Sequence, residues 1–448
     1  MKTWLTGLLL LLTTAVVLAQ ADEPQKDITD GQSAAPGDAK ANEWSDEWGD
    51  DWSEQDSPVT HAGFLEWGHG ERLDRDPLLA NTTTLSELRW HQQFDYSHER
   101  WVFNWSHDVW FDAVPNSDEG GLLFDLRELN FQFPVGQQTD VVLGRQITTW
   151  GTGDLLFIND QFPKDWLSFF SGRDDNYLKA PADAIRITRY FKPFNVDWVI
   201  TPTAAPDRFI NGERFALFVP SAAGRLGGFE VINPQDPSDP EYAMRVFGNH
   251  QGLQWALYGY HGISKSPLGV NDQQRPYFPA KNVWGASVQG IVGKGLYHAE
   301  VGQHQALEDR QGNNPWVPNS QWRVLLGYER ELISQLNWGV QYYLEHTQDH
   351  ERLLANSLSP EFEPEKNRHV ITNRLTYRAM QDKLTWSLFM YYSPTDEDSY
   401  WRPTVQYRHS DRWLFSVGGN LFTGADEHTF FGQFEDASNW FARLRFQY

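Results

Sequence analysis

Trp440-Phe-Ala-Arg-Leu-Arg-Phe-Gln-Tyr448, the last nine residues of the sequence, alternate apolar side chains (Trp440, Ala442, Leu444, Phe446, Tyr448) with polar or basic ones (Arg443, Arg445, Gln447). Side chains of an extended strand point to opposite faces in turn, so an unbroken period of two marks a strand whose faces meet different surroundings. Such a strand, coming last after many like it and ending on an aromatic, is how an outer-membrane barrel finishes. The fold expected is all-β: a transmembrane antiparallel up-and-down β-barrel, with function sought in its lumen and loops.

Upstream the pattern repeats. From His61 onward the chain breaks into alternating segments of about ten residues, the length of a tilted membrane strand. They begin at 61–70, 85–96, 101–111, 122–133 and 139–147 and end at 383–393, 400–409, 412–422 and 439–448, about 18 in all. Tight links such as 97–100, 192–193, 292–294 and 410–411 take turns with long ones, the rhythm of short periplasmic turns and longer external loops. An even count returns both ends of the barrel to the periplasm. Trp101, Phe103, Trp105, Val109 and Phe111 share one face and should meet lipid; Asn104, Ser106 and Asp108 lie opposite. The same division holds for Leu336, Trp338, Val340, Tyr342 and Leu344 against Asn337, Gln341 and Tyr343. In 122–133 and 183–191 it is muddied by Asp125, Glu128 and Arg189.

Composition agrees once this architecture is in mind. Mean hydropathy is −0.58 despite 21 Trp, 17 Tyr and 28 Phe, because only alternate strand residues face lipid. Residues 1–21 read as a signal peptide: Lys2, an apolar stretch from Leu5 to Leu18, and a small-x-small Ala19-Gln-Ala21 site. The absence of cysteine excludes a lipoprotein anchor, disulfides and thiolate metal sites. Of the formal charge of −23, −10 falls in residues 22–60, where 12 acidic side chains meet 2 basic ones. That stretch reads as a disordered periplasmic tail. Within it Trp44, Trp48 and Trp52 recur every four residues and would share one helical face, a candidate motif for docking on a periplasmic partner. Nucleic acid is excluded as a partner, since phosphate contacts need clustered Lys or Arg.

One connection is far too long for a turn, an inserted loop between Thr148 and Ala182. It is rich in Trp, Phe and Tyr, which argues against disorder and for a segment folded into or over the lumen as a constriction. Arg145, Arg173 and Lys179 face Asp154, Asp160, Asp174 and Asp175 in this reading, with Trp150 at its start. Opposed charge rows would tune which solutes pass; alternatively the charges form salt bridges that pin the loop. No calcium-loop spacing and no phosphate loop is present, so no metal or cofactor is expected. A second long loop, 202–240, carries proline clusters that suggest an extended external excursion at the mouth.

Gly144-Arg-Gln-Ile-Thr-Thr-Trp-Gly-Thr-Gly-Asp154, Asn159-Asp-Gln-Phe-Pro-Lys-Asp165 and Arg173-Asp-Asp-Asn-Tyr-Leu-Lys-Ala-Pro181 resemble an uncharacterised family of Gram-negative outer-membrane barrels. The acidic Trp-containing tail and Leu85-Ser-Glu-Leu-Arg89 resemble it too. Members are similar to porins and alginate-export barrels, and their genes often sit beside inner-membrane lipid or resistance-nodulation type exporters. The resemblance implies transport and no catalytic residue.

Two functions follow. One is an export-associated channel that passes a hydrophobic or amphipathic solute, with a periplasmic or inner-membrane transporter as partner. The other is a passive diffusion porin with an inward-folded constriction loop. Expected partners also include outer-membrane lipid and the barrel assembly machinery, through the strand ending at Tyr448. Histidines such as His61, His91, His298 and His304 offer bases, but no Gly-x-Ser-x-Gly elbow appears and no enzyme is expected.

Overall fold

A computed structural model describes residues 58–114, 121–228 and 231–448. The expected signal peptide and Trp44, Trp48 and Trp52 lie outside the described residues, as does most of the acidic tail. The wall consists of β1 (Val59–Arg72), β2 (Thr83–His98), β3 (Trp101–Asp112), β4 (Gly121–Pro134), β5 (Thr139–Gln146) and β6 (Ala182–Tyr190). It continues with β7 (Asn195–Thr201), β8 (Glu241–His250), β9 (Leu253–Ile263), β10 (Ala280–Val292), β11 (Gly295–Ala306) and β12 (Gln321–Ile333). β13 (Leu336–Thr347), β14 (Asn367–Ala379), β15 (Leu384–Ser393), β16 (Asp398–Arg408), β17 (Trp413–Gly424) and β18 (Asn439–Gln447) complete it. Each pairs antiparallel with its sequence neighbour, and β18 pairs with β1 from Phe64↔Gln447 to Arg72↔Asn439. The result is a closed 18-stranded barrel, as the alternation predicts.

Closure explains the final aromatic. Tyr448 lies over Gly63 of β1, and its hydroxyl accepts from Trp90 Nε1 of β2 at 2.6 Å and also from Gln92. A side chain at Gly63 would place its Cβ 2.8 Å from that hydroxyl, so the bare glycine lets the last residue bridge two strands.

The faces divide as expected. Phe111, Tyr342 and Tyr392 are exposed outward, while Ser106, Asp108, Gln341 and Tyr343 are buried inward. The muddied stretch of β4 has a local cause. Ser106 pairs with Glu128 but His107 pairs with Leu126, so Arg127 is an extra residue at a bulge. The bulge turns both Arg127 and Glu128 to the lumen while Leu126 and Leu129 stay outside. Arg189 faces outward on β6 near the periplasmic rim, where its guanidinium reaches Thr139 and Gln138.

Among the described residues two short α-helices lie outside the wall, α1 (Trp166–Ser171) inside the barrel and α2 (His350–Asn356) in an external loop. No helix among the described residues is long and apolar enough to cross a membrane.

Candidate functional site: the segment across the lumen

Residues 148–182 leave the wall after β5 and fold through the lumen. Asp165 starts α1 by accepting from Ser168 N at 2.7 Å, and Gly172 ends it in the left-handed region at φ 92°. A side chain at Gly172 would be strained and would overlap the Phe441 ring. Phe169 and Phe170 pack on Tyr400 and Phe422, lumen-facing residues of β16 and β17. The segment thus carries its own apolar core, shared with the wall.

The last carbonyls of a helix have no partner within it. Here the wall supplies them. Arg402, 3% exposed, donates to Phe169 O at 2.6 Å and Arg173 O at 3.1 Å. Asn420 and Asn439 both donate to Phe170 O. A guanidinium at a helix C-terminus also meets the negative end of the helix dipole.

The acidic side chains are held the same way, each by a different part of the wall. Asp154 pairs with Arg374 of β14 at 2.5 Å, and Asp175 with Arg402 of β16 at 2.8 Å. Asp174 meets Arg443 and Arg445 of β18 at 3.4 and 3.2 Å. Burial raises the Asp174 carboxyl, but those two guanidiniums outweigh it and hold it below the usual carboxylate range. Arg173 runs the other way, to Glu87 of β2 at 2.8 Å and Asp112 of β3 at 3.8 Å. On the far wall Glu300 of β11 accepts from Gly153 N at 3.0 Å and from Asn159 Nδ2 at 2.9 Å. The paired lumen-facing glycines Gly285 and Gly302 make the socket for that stretch, since a Cβ on Gly302 would lie 2.6 Å from Ile158.

The predicted residues are therefore not two opposed rows. Asp154, Arg173, Asp174 and Asp175 lie in the lumen, each paired with the wall. Asp160 pairs at 3.1 Å with Lys164 of the segment itself. Trp150 packs edge-on against Phe162 beneath the Arg245 guanidinium. The Lys179 side chain is exposed, and its carbonyl accepts from Arg127 at 2.9 Å. Arg145 departs from the ladder altogether. It faces outward from β5, paired with Asp183 at 3.2 Å, because one residue of strand register carries a side chain to the opposite face. The wall partners Arg374, Arg402 and Glu300 were not singled out from the sequence, although their inward parity was available as a signal.

The second loop is not only an external excursion. Phe215 and Ala216 are buried, and Arg214 donates to Thr84 O at 2.8 Å and Asp112 at 2.5 Å inside the rim. Proline clusters mark where that loop is extended, but not that a buried arginine draws its middle inward. Beside the Asp154–Arg374 pair lies a cavity of about 70 Å³ lined by His298, Gln341, Thr372 and Thr376.

No family model and no curated protein matches the chain. Among solved structures, Acinetobacter baumannii OccAB1 is similar at TM-score 0.52 and 10% identity, covering 87% of this chain and 96% of that one. The outer membrane protein opdK from Pseudomonas aeruginosa is similar at 0.51 and 9%, covering 87% and 98%. A BenF-like porin from Pseudomonas fluorescens Pf-5 is similar at 0.51 and 12%, covering 87% and 98%. The likeness is one of fold, and it spans the whole barrel. The chain shares with these proteins the fold of an outer-membrane β-barrel.

Proposed function

We propose that the protein is a passive channel for small solutes whose lumen is narrowed by residues 148–182. The observation that carries this is the anchoring: the segment is held by β2, β14, β16 and β18 on one side and by Glu300 of β11, half-way round the wall from β2, on the other, so it spans the bore rather than hugging one side. An 18-stranded barrel is otherwise wide enough for an aqueous channel. The porin among the structural neighbours supports the same reading. Planar-bilayer recording tests it. Wild-type protein should give small steady currents, and replacing 149–181 by a short turn should raise them by roughly tenfold. Silence from both proteins would sink the channel reading.

A second reading is an export-associated barrel that accepts a hydrophobic or amphipathic solute from an envelope transporter, akin to the alginate-export barrels and encoded beside an exporter. The apolar cluster within the lumen, built on Phe169, Phe170, Tyr400 and Phe422, favours it. In this reading Trp44, Trp48 and Trp52 dock the transporter, and β18 with Tyr448 engages the assembly machinery. Currents that appear only when a transporter partner is added would select it.

A further inference from the structure

The wall is not of even height. β5, β6, β7 and β8 have 8, 9, 7 and 10 residues, whereas β1 to β4 have 14, 16, 12 and 14. Tight turns join strands at the periplasmic ends, so the shortfall lies at the outer rim. The pairing of β4 shows it directly. Toward β3 it is paired from Gly121 to Gln132, but toward β5 only from Leu129 to Pro134. Among the described residues no strand pairs with 121–128 on that side, an edge of about 26 Å at ~3.3 Å per residue.

Lipid does not tolerate an open strand edge, because its backbone groups have no partner there. Two features cover this one. Arg145 lies on the outer face at the lip of the gap, donating to Leu126 O at 2.5 Å while paired with Asp183. Behind it residues 163–166 stand in for wall, bonded to 178–180 on one side and to Arg208 on the other. That patch is fastened to β4 by side chains: Arg208 forks onto Asp125 at 2.7 and 2.8 Å, and Arg127 reaches Lys179 O. Side-chain fastenings come apart without breaking a ladder; strand pairings do not. Just outside the gap β4 presents Leu122 and Phe124, 77% and 64% exposed, among the most exposed apolar side chains of the wall.

We propose that this gap is a lateral outlet, latched by Asp125 and Arg208, through which a single-chain amphiphile moves between the lumen and the outer leaflet. The head group meets the Arg145–Asp183 lip and the tail lies along Leu122, Phe124 and Leu129. An arginine on the lipid face is costly at mid-depth and tolerated near the interfaces, which suits a lip visited by head groups. The proposal rests on the channel reading and names the solute class and exit.

The sequence has no cysteine, so Asp125→Cys/Arg208→Cys supplies the only two thiols. They can be bridged by a bis-maleimide with a reducible spacer, in proteoliposomes, with an NBD-labelled fatty acid as probe. Bridging should slow transfer of the probe by about tenfold, reduction should restore it, and ion conductance of the same preparation should change less than about twofold. Transfer unchanged by bridging overturns the outlet, as does loss of transfer and conductance together, which marks an axial route. If the double variant does not fold, a diazirine fatty acid on unmodified protein decides. Label concentrated on 121–128 and 176–183 supports the outlet; label spread evenly round the wall overturns it. Absence of current even without 149–181 is the separate failure of the channel reading.

Discussion

The two long loops use the same chemistry to different ends. Residues 148–182 are tied across the bore to strands distant in the chain, through Arg402, Arg443, Arg445 and Glu87. Residues 202–228 reach as far but at the rim, where Arg208 and Arg214 bind β4 and β3, and Arg225 binds Asp76, Glu427 and Asp436 of the outer loops that follow β1 and β17. The first arrangement sets how wide the lumen is. The second braces the rim. Asp112 serves both, accepting from Arg214 and lying 3.8 Å from the Arg173 guanidinium.

The largest break in this contrast should come from Arg402→Met. It takes the side-chain donor from Phe169 O and Arg173 O in a buried site and the partner from Asp175, at a cost of about 3–5 kcal/mol. Hydrogen exchange at 166–178 should accelerate by roughly a hundredfold or more, with current noise rising alongside. Arg214→Met removes a comparable buried pair, yet single-channel conductance should stay near wild type while exchange speeds up only in 209–216. Equal effects of the two variants on conductance would erase the distinction between constriction and brace. Next in size is Gly172→Ala, which forces a left-handed alanine against Phe441. It should cost about 2–3 kcal/mol and lower the melting midpoint.

Acid offers a milder probe. The Asp174 carboxyl is held below its unfolded value, so its contribution to anchoring is complete above the ordinary carboxylate range and is lost as pH falls through the depressed value. Currents should therefore become noisier in strong acid, and Asp174→Asn should show that noise already at neutral pH. The smallest effect belongs to Asp154→Asn. Its pair with Arg374 is partly exposed on both sides, so the change should stay within about 1 kcal/mol and leave conductance nearly unaltered.

Much of the wall was legible in the sequence. All 18 segments with period-two alternation are strands, because a surface with lipid on one side and polar lumen on the other imposes that period on every crossing. Arg443 and Arg445 were readable as the polar face of the last strand. The bulge at Arg127 was visible only as a disturbance of the pattern, since alternation cannot say which residue is extra. Arg145 was misplaced because a charged residue beside a charged loop looks lumenal until its register is known.

From the chain alone, then, came the barrel, its strand count, its inward and outward faces and the presence of a segment too long and too aromatic to be a turn. These depend on local periodicity, which survives without any knowledge of neighbours. Tertiary structure alone decided where that segment's charges go and how high the wall stands beside it. Both are settled by closure, which brings β2, β11, β14, β16 and β18 around one bore and sets residues hundreds of positions apart within hydrogen-bonding distance.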